Sequence, residues 1–162
     1  ASTDSLTDVF NRREGEKKVQ ERILAGGVFC LLVLDLNRFK WINDTYGHNC
    51  GDQVLKSVAR KIQDQIRPCD TVCRWGGDEF LIIMECGLKD AMTRARQISQ
   101  ALHGRYEVDV SGRRTQVDVS ACCGVACHIP GETMEHVFER ADVMLYQIKD
   151  KVRRDSRLAY VR

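Results

Sequence analysis

Apolar residues recur along the chain in two patterns, a helical spacing and short runs rich in β-branched residues. Val54, Leu55, Val58 and Ile62, for example, fall on one face of a helix. The helical pattern predicts four main helices, over residues 6–24, 54–66, 89–102 and 135–151. The short runs predict strands over residues 28–36, 71–74, 80–84, 106–110, 114–125 and 158–161.

Turn residues between neighbouring strands indicate hairpins. Glycines at 76 and 77 separate one pair of strands, and the Ser111-Gly112 pair separates another. The predicted order is α-β-α-α-β-β-α-β-β-α-β, in which helices alternate with hairpins. This order indicates an α+β fold with a central, mostly antiparallel five-stranded sheet, flanking helices and an extra β-hairpin. The arrangement lies near the ferredoxin-like βαββαβ core.

Composition narrows the class of protein. The chain has 162 residues, 43% hydrophobic and 30% charged, which predicts one globular domain. Its net charge is only +2, so a nucleic-acid-coating protein is disfavoured. No apolar run approaches the roughly 20 residues of a membrane helix, and residues 1–8 do not resemble a signal peptide. Most of the eight cysteines lie in or beside apolar runs, which predicts buried free thiols and a cytoplasmic location.

Polar residues follow the first predicted strand. Asp35 closes the apolar run, and a carboxylate there is costly unless it is paired or bound to a metal. Asp35 or Asn37 could serve as a helix N-cap. Alternatively, Asp35 could bind a hard cation, with backbone groups and Lys40 nearby for phosphates.

The glycine turn carries two more carboxylates, Asp78 and Glu79. A solvated hairpin turn would also contain Gly and Asp. If the hairpin pairs beside the first strand, however, Asp35 joins Asp78 and Glu79. Three neighbouring carboxylates repel one another unless a divalent cation neutralises them, which is the arrangement of two-metal nucleotidyl transfer.

A third polar cluster spans residues 43–52. Asn43 and Asp52 have planar polar groups that can bind a purine edge, and the N–H donors of guanine suit the carboxylate of Asp52. Asp52 could instead cap the second long helix. For His48 a structural hydrogen bond is favoured over catalysis.

Four motifs together resemble one family. Residues 74–80 read Arg-Trp-Gly-Gly-Asp-Glu-Phe, residues 4–13 fit D-x-L-T-x-x-x-N-R-R, and residues 35–52 and 141–149 complete the set. In this order they are similar to the GGDEF domains, the diguanylate cyclases. The resemblance implies a palm-type nucleotidyl cyclase core, with residues 1–162 forming a single catalytic domain cut from a longer regulated protein.

The resemblance also implies a metal site. Asp35 and the backbone carbonyl of Leu36 would hold Mg²⁺ or Mn²⁺, with two ions in each half of the active site. Asp78 would bind metal and deprotonate the ribose 3′-hydroxyl, and Glu79 would share the metal site.

The implied nucleotide site uses residues around these carboxylates. Lys40 and Lys149 would face the triphosphate, and Asn43, with Asp52, would bind guanine in a stretch that includes His48. The remaining implied phosphate contacts are the amides of Asn37, Arg38 and Phe39 and the side chain of Arg153. The sequence departs from the family pattern at Asn37, where a second aspartate is frequent, and at residues 152–154, where Gly-Arg-Asn is replaced by Val-Arg-Arg.

The implied reaction joins two GTP into cyclic di-GMP and two pyrophosphates across a homodimer. Arg67 and Asp70 fit the inhibitory R-x-x-D product site, although a surface ion pair would look the same, and spacing does not decide between Arg94 and Arg96 as its second arginine. The alternatives are a catalytically silent receptor for GTP or cyclic di-GMP and a cyclase with relaxed purine choice, against which the carboxylate of Asp52 argues.

Overall fold

The computed structural model describes the backbone of residues 1–161 and the side chains of residues 1–156. Its helices are α1 (Arg12–Ala25), α2 (Phe39–Tyr46), α3 (His48–Gln65), α4 (Leu88–Leu102) and α5 (Met134–Val161). Its strands are β1 (Cys30–Leu36), β2 (Thr71–Arg74), β3 (Glu79–Met84), β4 (Gly104–Val110), β5 (Arg113–Val119) and β6 (Ala121–Cys127).

The main sheet has the strand order β2-β3-β1-β6, and every neighbouring pair is antiparallel. The central strand β1 is apolar at all positions except Asp35, because both of its faces are covered. Leu32 and Leu34 belong to the core that includes α3 and α4, whereas Leu31 and Val33 belong to the core that includes α1 and α5. β4 and β5 form a separate two-stranded sheet.

The predicted α+β class is confirmed, but the central sheet has four strands instead of the predicted five. The predicted strand over residues 114–125 is two strands, because the chain changes partners at Ser120: β5 pairs with β4, and β6 pairs with β1. The predicted edge strand over residues 158–161 is wrong, since α5 continues through that segment. Neither glycine nor proline follows Lys149, so no residue that usually ends a helix interrupts α5 there.

The first helix is shorter than predicted. Asn11 caps α1 by accepting a hydrogen bond from the backbone N–H of Glu14, and the chain before it forms a turn. Among the described helices, none combines the length and the apolar character that crossing a membrane requires. All eight cysteines are free thiols, and five of them are buried.

α5 lies very close to β6 at Gly124. A Cβ atom at this position would overlap Ala141 O and the backbone of Leu145. Only glycine lets the two elements approach to this distance. The contact fixes the height of α5 over the sheet one turn before Lys149, which is one of the predicted site residues.

We expect Gly124→Ala to lower the free energy of unfolding by about 2 kcal/mol, because the added methyl group forces β6 and α5 apart. Urea unfolding followed by circular dichroism measures the change. Gly87→Ala is the matched control, since a Cβ at Gly87 meets no atom within 4 Å. Equal stabilities of the two variants would contradict the close-packing argument.

Candidate functional site

The pairing of β1 with β3 brings the predicted acidic residues together. Asp35 lies opposite Glu79 in the antiparallel register. The backbone N–H of Leu36 donates to Asp78 O at 3.3 Å, so the hairpin tip adjoins the end of β1. The predicted convergence of these three carboxylates depended on the hairpin pairing beside the first strand, and the structure contains this pairing.

The charges in this acidic cluster (Asp35, Asp78 and Glu79) disfavour one another. Burial is the largest cause that raises the pKa of Asp78 to about 6, and the neighbouring Asp35 carboxylate is the next. Burial raises the pKa of Glu79 to about 7, with further contributions from Asp35, Asp142 and Asp78. The free energy of this cluster therefore falls when a cation or protons neutralise it.

Lys149 supplies the cationic partner of Asp35. Its Nζ lies 2.7 Å from Asp35 Oδ2 and donates to Leu36 O at 3.4 Å. The other carboxylate oxygen, Asp35 Oδ1, is buried and has no hydrogen-bond partner among the side chains and backbone that the structure describes.

The carboxylate oxygens of the acidic cluster are hard ligand atoms, the type that Mg²⁺ and Mn²⁺ prefer. The unpartnered Asp35 Oδ1 is suited to such an ion. Among the side chains of residues 1–156, however, no three acidic, histidine or cysteine groups are arranged as a complete metal site.

The hairpin tip is held by the N-terminal motif. Arg74 donates to Gly76 O at 3.2 Å and to Gly77 O at 2.8 Å, and its NH1 lies 3.2 Å from Asp4 Oδ2. Although burial opposes it, hydrogen bonds from Thr7 and the charge of Arg74 keep the pKa of Asp4 below its usual range. Asp4 and Arg74 are not among the predicted site residues, although both lie in motifs that resemble the family pattern.

Aromatic packing supports the tip from the other side. Trp75 stacks on Phe138 of α5 with ring centroids 4.9 Å apart, and the Arg12 guanidinium lies 4.4 Å from the Trp75 ring. These contacts join α1 and α5 to the residue just before the glycine turn. Sequence spacing could not reveal them, because their partners are more than 60 positions apart in the chain.

The predicted phosphate loop is only partly available for a ligand. The Asn37 amide already donates to Ser120 O at 2.8 Å, and its side chain bonds Ser120 Oγ and the Cys122 thiol. The amides of Arg38 and Phe39 remain at the N-terminus of α2, where helix geometry leaves N–H groups unpaired. Arg38 has φ 57°, which turns the chain into the helix. The exposed Lys40 follows in the first turn.

A cleft of about 500 Å³ adjoins this loop. It lies between Arg38 and Trp41 on one side and Arg105 on the other, and it reaches Ser120. The acidic cluster does not line it. This cleft therefore lies beside the carboxylates and not over them.

Helices α2 and α3 bring the two predicted guanine-binding residues near each other. A Cβ at Gly51 would overlap Asn43 Oδ1, so the Asn43 amide lies directly on the backbone that leads into Asp52. Asp52 and His48 are exposed in the first turns of α3. At the other end of the site, Arg153 lies on α5 one turn after Lys149 and pairs with Asp150 at 4.0 Å.

Arg67 and Asp70 form a separate polar cluster. The Asp70 side chain is fully buried and accepts from the backbone N–H groups of Arg67 at 3.0 Å and Glu85 at 3.2 Å. Arg94 NH2 lies 3.6 Å from Asp70 Oδ2, and the buried Nε of Arg94 has no hydrogen-bond partner in the described part of the chain. Arg96 instead lines a groove between α4 and α5. A cleft of about 510 Å³ adjoins Arg67 and Asp70.

Comparisons with known proteins agree with the motif pattern. The family model described as diguanylate cyclase, GGDEF domain, matches residues 1–155. The chain is 36% identical over 155 residues to the response regulator PleD of Caulobacter vibrioides and 34% identical over 151 residues to the diguanylate cyclase VdcA of Vibrio cholerae. These alignments cover 92% and 91% of the chain, which spans 34% and 44% of the two relatives.

A solved structure has the same fold. The GGDEF domain of DgcB from Caulobacter crescentus, determined in complex with c-di-GMP, superposes with a TM-score of 0.85 at 32% identity. The match covers 93% of this chain and 91% of that one.

The raised pKa of Glu79 predicts a pH-dependent stability. A carboxyl group whose pKa rises on folding favours the folded state below its unfolded pKa of about 4.5, and this contribution is lost as the pH rises through about 7. In metal-free buffer, Glu79→Gln should therefore be more stable than the original chain by about 2 kcal/mol at pH 8 and equal to it near pH 4.

Urea unfolding at the two pH values, with chelator present, tests this expectation. Glu139→Gln removes an equivalent charge at an exposed position of α5 and serves as the control. A Glu79→Gln stability gain that is the same at pH 4 and pH 8 would assign the effect to packing instead of charge.

Proposed function

The chain belongs to the GGDEF family of diguanylate cyclase domains, and we propose that it joins two GTP molecules into cyclic di-GMP with release of two pyrophosphates. The observation that carries the proposal is the pairing of β1 with β3, which gathers Asp35, Asp78 and Glu79 at one end of the sheet. Burial and the neighbouring Asp35 carboxylate raise the pKa values of Asp78 and Glu79, as expected of groups built to hold cations.

Asp35, Leu36 O, Asp78 and Glu79 are the groups that would hold Mg²⁺ or Mn²⁺, two ions in each half of the active site. A bound divalent ion lowers the pKa of the ribose 3′-hydroxyl and offsets charge on the departing pyrophosphate. Asp78 accepts the proton of that hydroxyl as the general base.

The nucleotide lies between the acidic cluster and α3 in this proposal. Lys40, Lys149 and the amides of Arg38 and Phe39 surround the triphosphate, with Arg153 one helical turn beyond Lys149. Asn43 and Asp52 bind the guanine edge, since a carboxylate accepts from the N1–H and N2–H donors together. The exposed His48 lies at the rim of the same site.

The reaction requires two copies of the domain. Each active site holds one GTP, so the 3′-oxygen of one nucleotide attacks the α-phosphorus held by the other domain. A new O3′–P bond forms, and the bond between the α-phosphorus and pyrophosphate breaks. The same reaction of the second 3′-oxygen with the other α-phosphorus closes the ring and releases the second pyrophosphate. We therefore propose a two-fold homodimer in which the hairpin tips face each other.

Product inhibition is the proposed role of the second polar cluster. Arg67 lines the cleft of about 510 Å³ that reaches Asp70, and Arg94 NH2 lies 3.6 Å from Asp70 Oδ2. Arginine donates to the O6 and N7 atoms of guanine, and the buried Nε of Arg94 has no partner within the described residues. Arg94, and not Arg96, is therefore our choice for the second arginine.

A silent receptor is the second candidate function. The cluster of Arg67, Asp70 and Arg94 favours it, because this site could bind cyclic di-GMP without any turnover. The presence of all three carboxylates at the hairpin end of the sheet favours a cyclase instead, since a receptor has no need of their mutual repulsion.

We expect Asp78→Ala to reduce cyclic di-GMP formation from GTP and Mg²⁺ by about a thousandfold or more, because the proton acceptor and a metal ligand are lost together. Mass spectrometry of the products measures the rate. Asp64→Ala, at an exposed position of α3, is the control and should retain activity.

Two outcomes would oppose the cyclase. Full activity of Asp78→Ala would remove this residue from the chemistry. Binding of cyclic di-GMP by the unaltered chain, without product from GTP at high protein concentration, would establish the receptor.

We expect Arg94→Met to weaken inhibition by cyclic di-GMP by about tenfold while the initial rate stays unchanged, because a charge-assisted hydrogen bond to the product is lost. Initial rates measured at increasing product concentration give the inhibition constant. The control is Arg96→Met, which removes an arginine that lies two positions along α4 and lines a different groove. Equal inhibition constants for both variants would exclude Arg94 from the product site.

A further inference from the structure

Lys149 contacts the two groups of β1 that the proposed function gives to the divalent ion. Its Nζ lies 2.7 Å from Asp35 Oδ2 and 3.4 Å from Leu36 O. An ammonium group and a divalent cation are both attracted to negatively polarised oxygen atoms, and their like charges repel each other at contact distance. Lys149 and a metal ion therefore compete for the same pair of oxygen atoms.

The ion pair is sheltered from water. The Lys149 and Asp35 side chains are only 25% and 21% exposed, so solvent screens their attraction less than it would on an open surface. A cation that binds Asp35 Oδ2 must first break this contact, and a cation at the neighbouring Oδ1 is repelled by the ammonium group. The intrinsic affinity of the site for metal is reduced accordingly.

Close packing of α5 on β6 restrains the backbone of Lys149. One turn earlier, Leu145 is held against Gly124 of β6 at a distance that admits no Cβ atom. The lysine side chain, in contrast, is a flexible four-carbon stem with a point charge at its end. Only the ammonium can move, and negatively charged phosphates beside α2 would attract it.

We propose that Lys149 is an internal cation that competes with the divalent metal for Asp35 and Leu36 O, and that the nucleotide's phosphates draw it away. Lys149 is then a positioning residue that makes metal binding depend on nucleotide binding. This inference rests on the proposed function, because it assumes that both ligands bind at the acidic cluster. Metal and nucleotide must strengthen each other's affinity by the same factor.

The test measures Mn²⁺ binding without nucleotide, using electron paramagnetic resonance to count free Mn²⁺. We expect Lys149→Met to bind Mn²⁺ about tenfold more tightly than the original chain, since the competing cation is gone. Lys151→Met removes the same charge from the exposed side of α5 and should leave the affinity unchanged. Lys149→Arg keeps a competing cation and should bind Mn²⁺ as weakly as the original chain.

A second measurement adds the α,β-methylene analogue of GTP, which cannot be turned over. The analogue should raise the Mn²⁺ affinity of the original chain by a larger factor than that of Lys149→Met, because part of its effect is the removal of the lysine. Circular dichroism confirms that each variant is folded.

The outcomes separate this inference from the proposed function. If the analogue binds but Lys149→Met binds Mn²⁺ no more tightly than Lys151→Met, the competition is refuted while the proposed function stands. If the original chain binds neither the analogue nor Mn²⁺ in its presence, the proposed function fails and the inference fails with it.

Discussion

Repulsion between carboxylates at one end of β1 is the constraint around which the rest of the site is arranged. Like charges directly opposite in an antiparallel pair destabilise a sheet, and Asp35 and Glu79 occupy such positions. Asp78 adds a third carboxylate at the adjacent tip. A protein selected for stability alone would have one charge of each sign here. The surrounding structure therefore both tolerates this repulsion and partly neutralises it.

Groups from segments that are remote in the sequence offset the repulsion within the acidic cluster. Lys149 reaches the acidic cluster from α5, and its place there depends on the absence of a side chain at Gly124. Arg74 binds the carbonyl groups of the tip and is anchored by Asp4 from the N-terminal motif. The two apolar cores on either side of β1 supply the stability that these charges oppose.

Sequence patterns predicted the features that depend on local chemistry. The buried β1, the hairpin with its glycine turn and the main helices follow from apolar spacing, and the convergence of Asp35 with Glu79 followed once pairing was assumed. The split at Ser120 was not predictable, because residues 114–125 are suitable for strands throughout and only the choice of partner divides them. The hydrogen bond from the Asn37 amide to Ser120 O and the contact of Arg94 with Asp70 were not predictable either, because both depend on packing between distant segments.

The structural contacts of Asp70 explain why a proposed ligand site and a structural ion pair can share one sequence pattern. Its buried carboxylate satisfies the backbone N–H groups of Arg67 and Glu85, and so joins the turn before β2 to the end of β3. Removing it would leave buried donors unpaired, a cost that falls on folding whether or not a ligand binds. Arg94 reaches the same carboxylate from α4 and keeps a donor that no group in residues 1–156 accepts. The proposed product-binding function of this cluster is therefore separable from its structural role through the arginine and not through the aspartate.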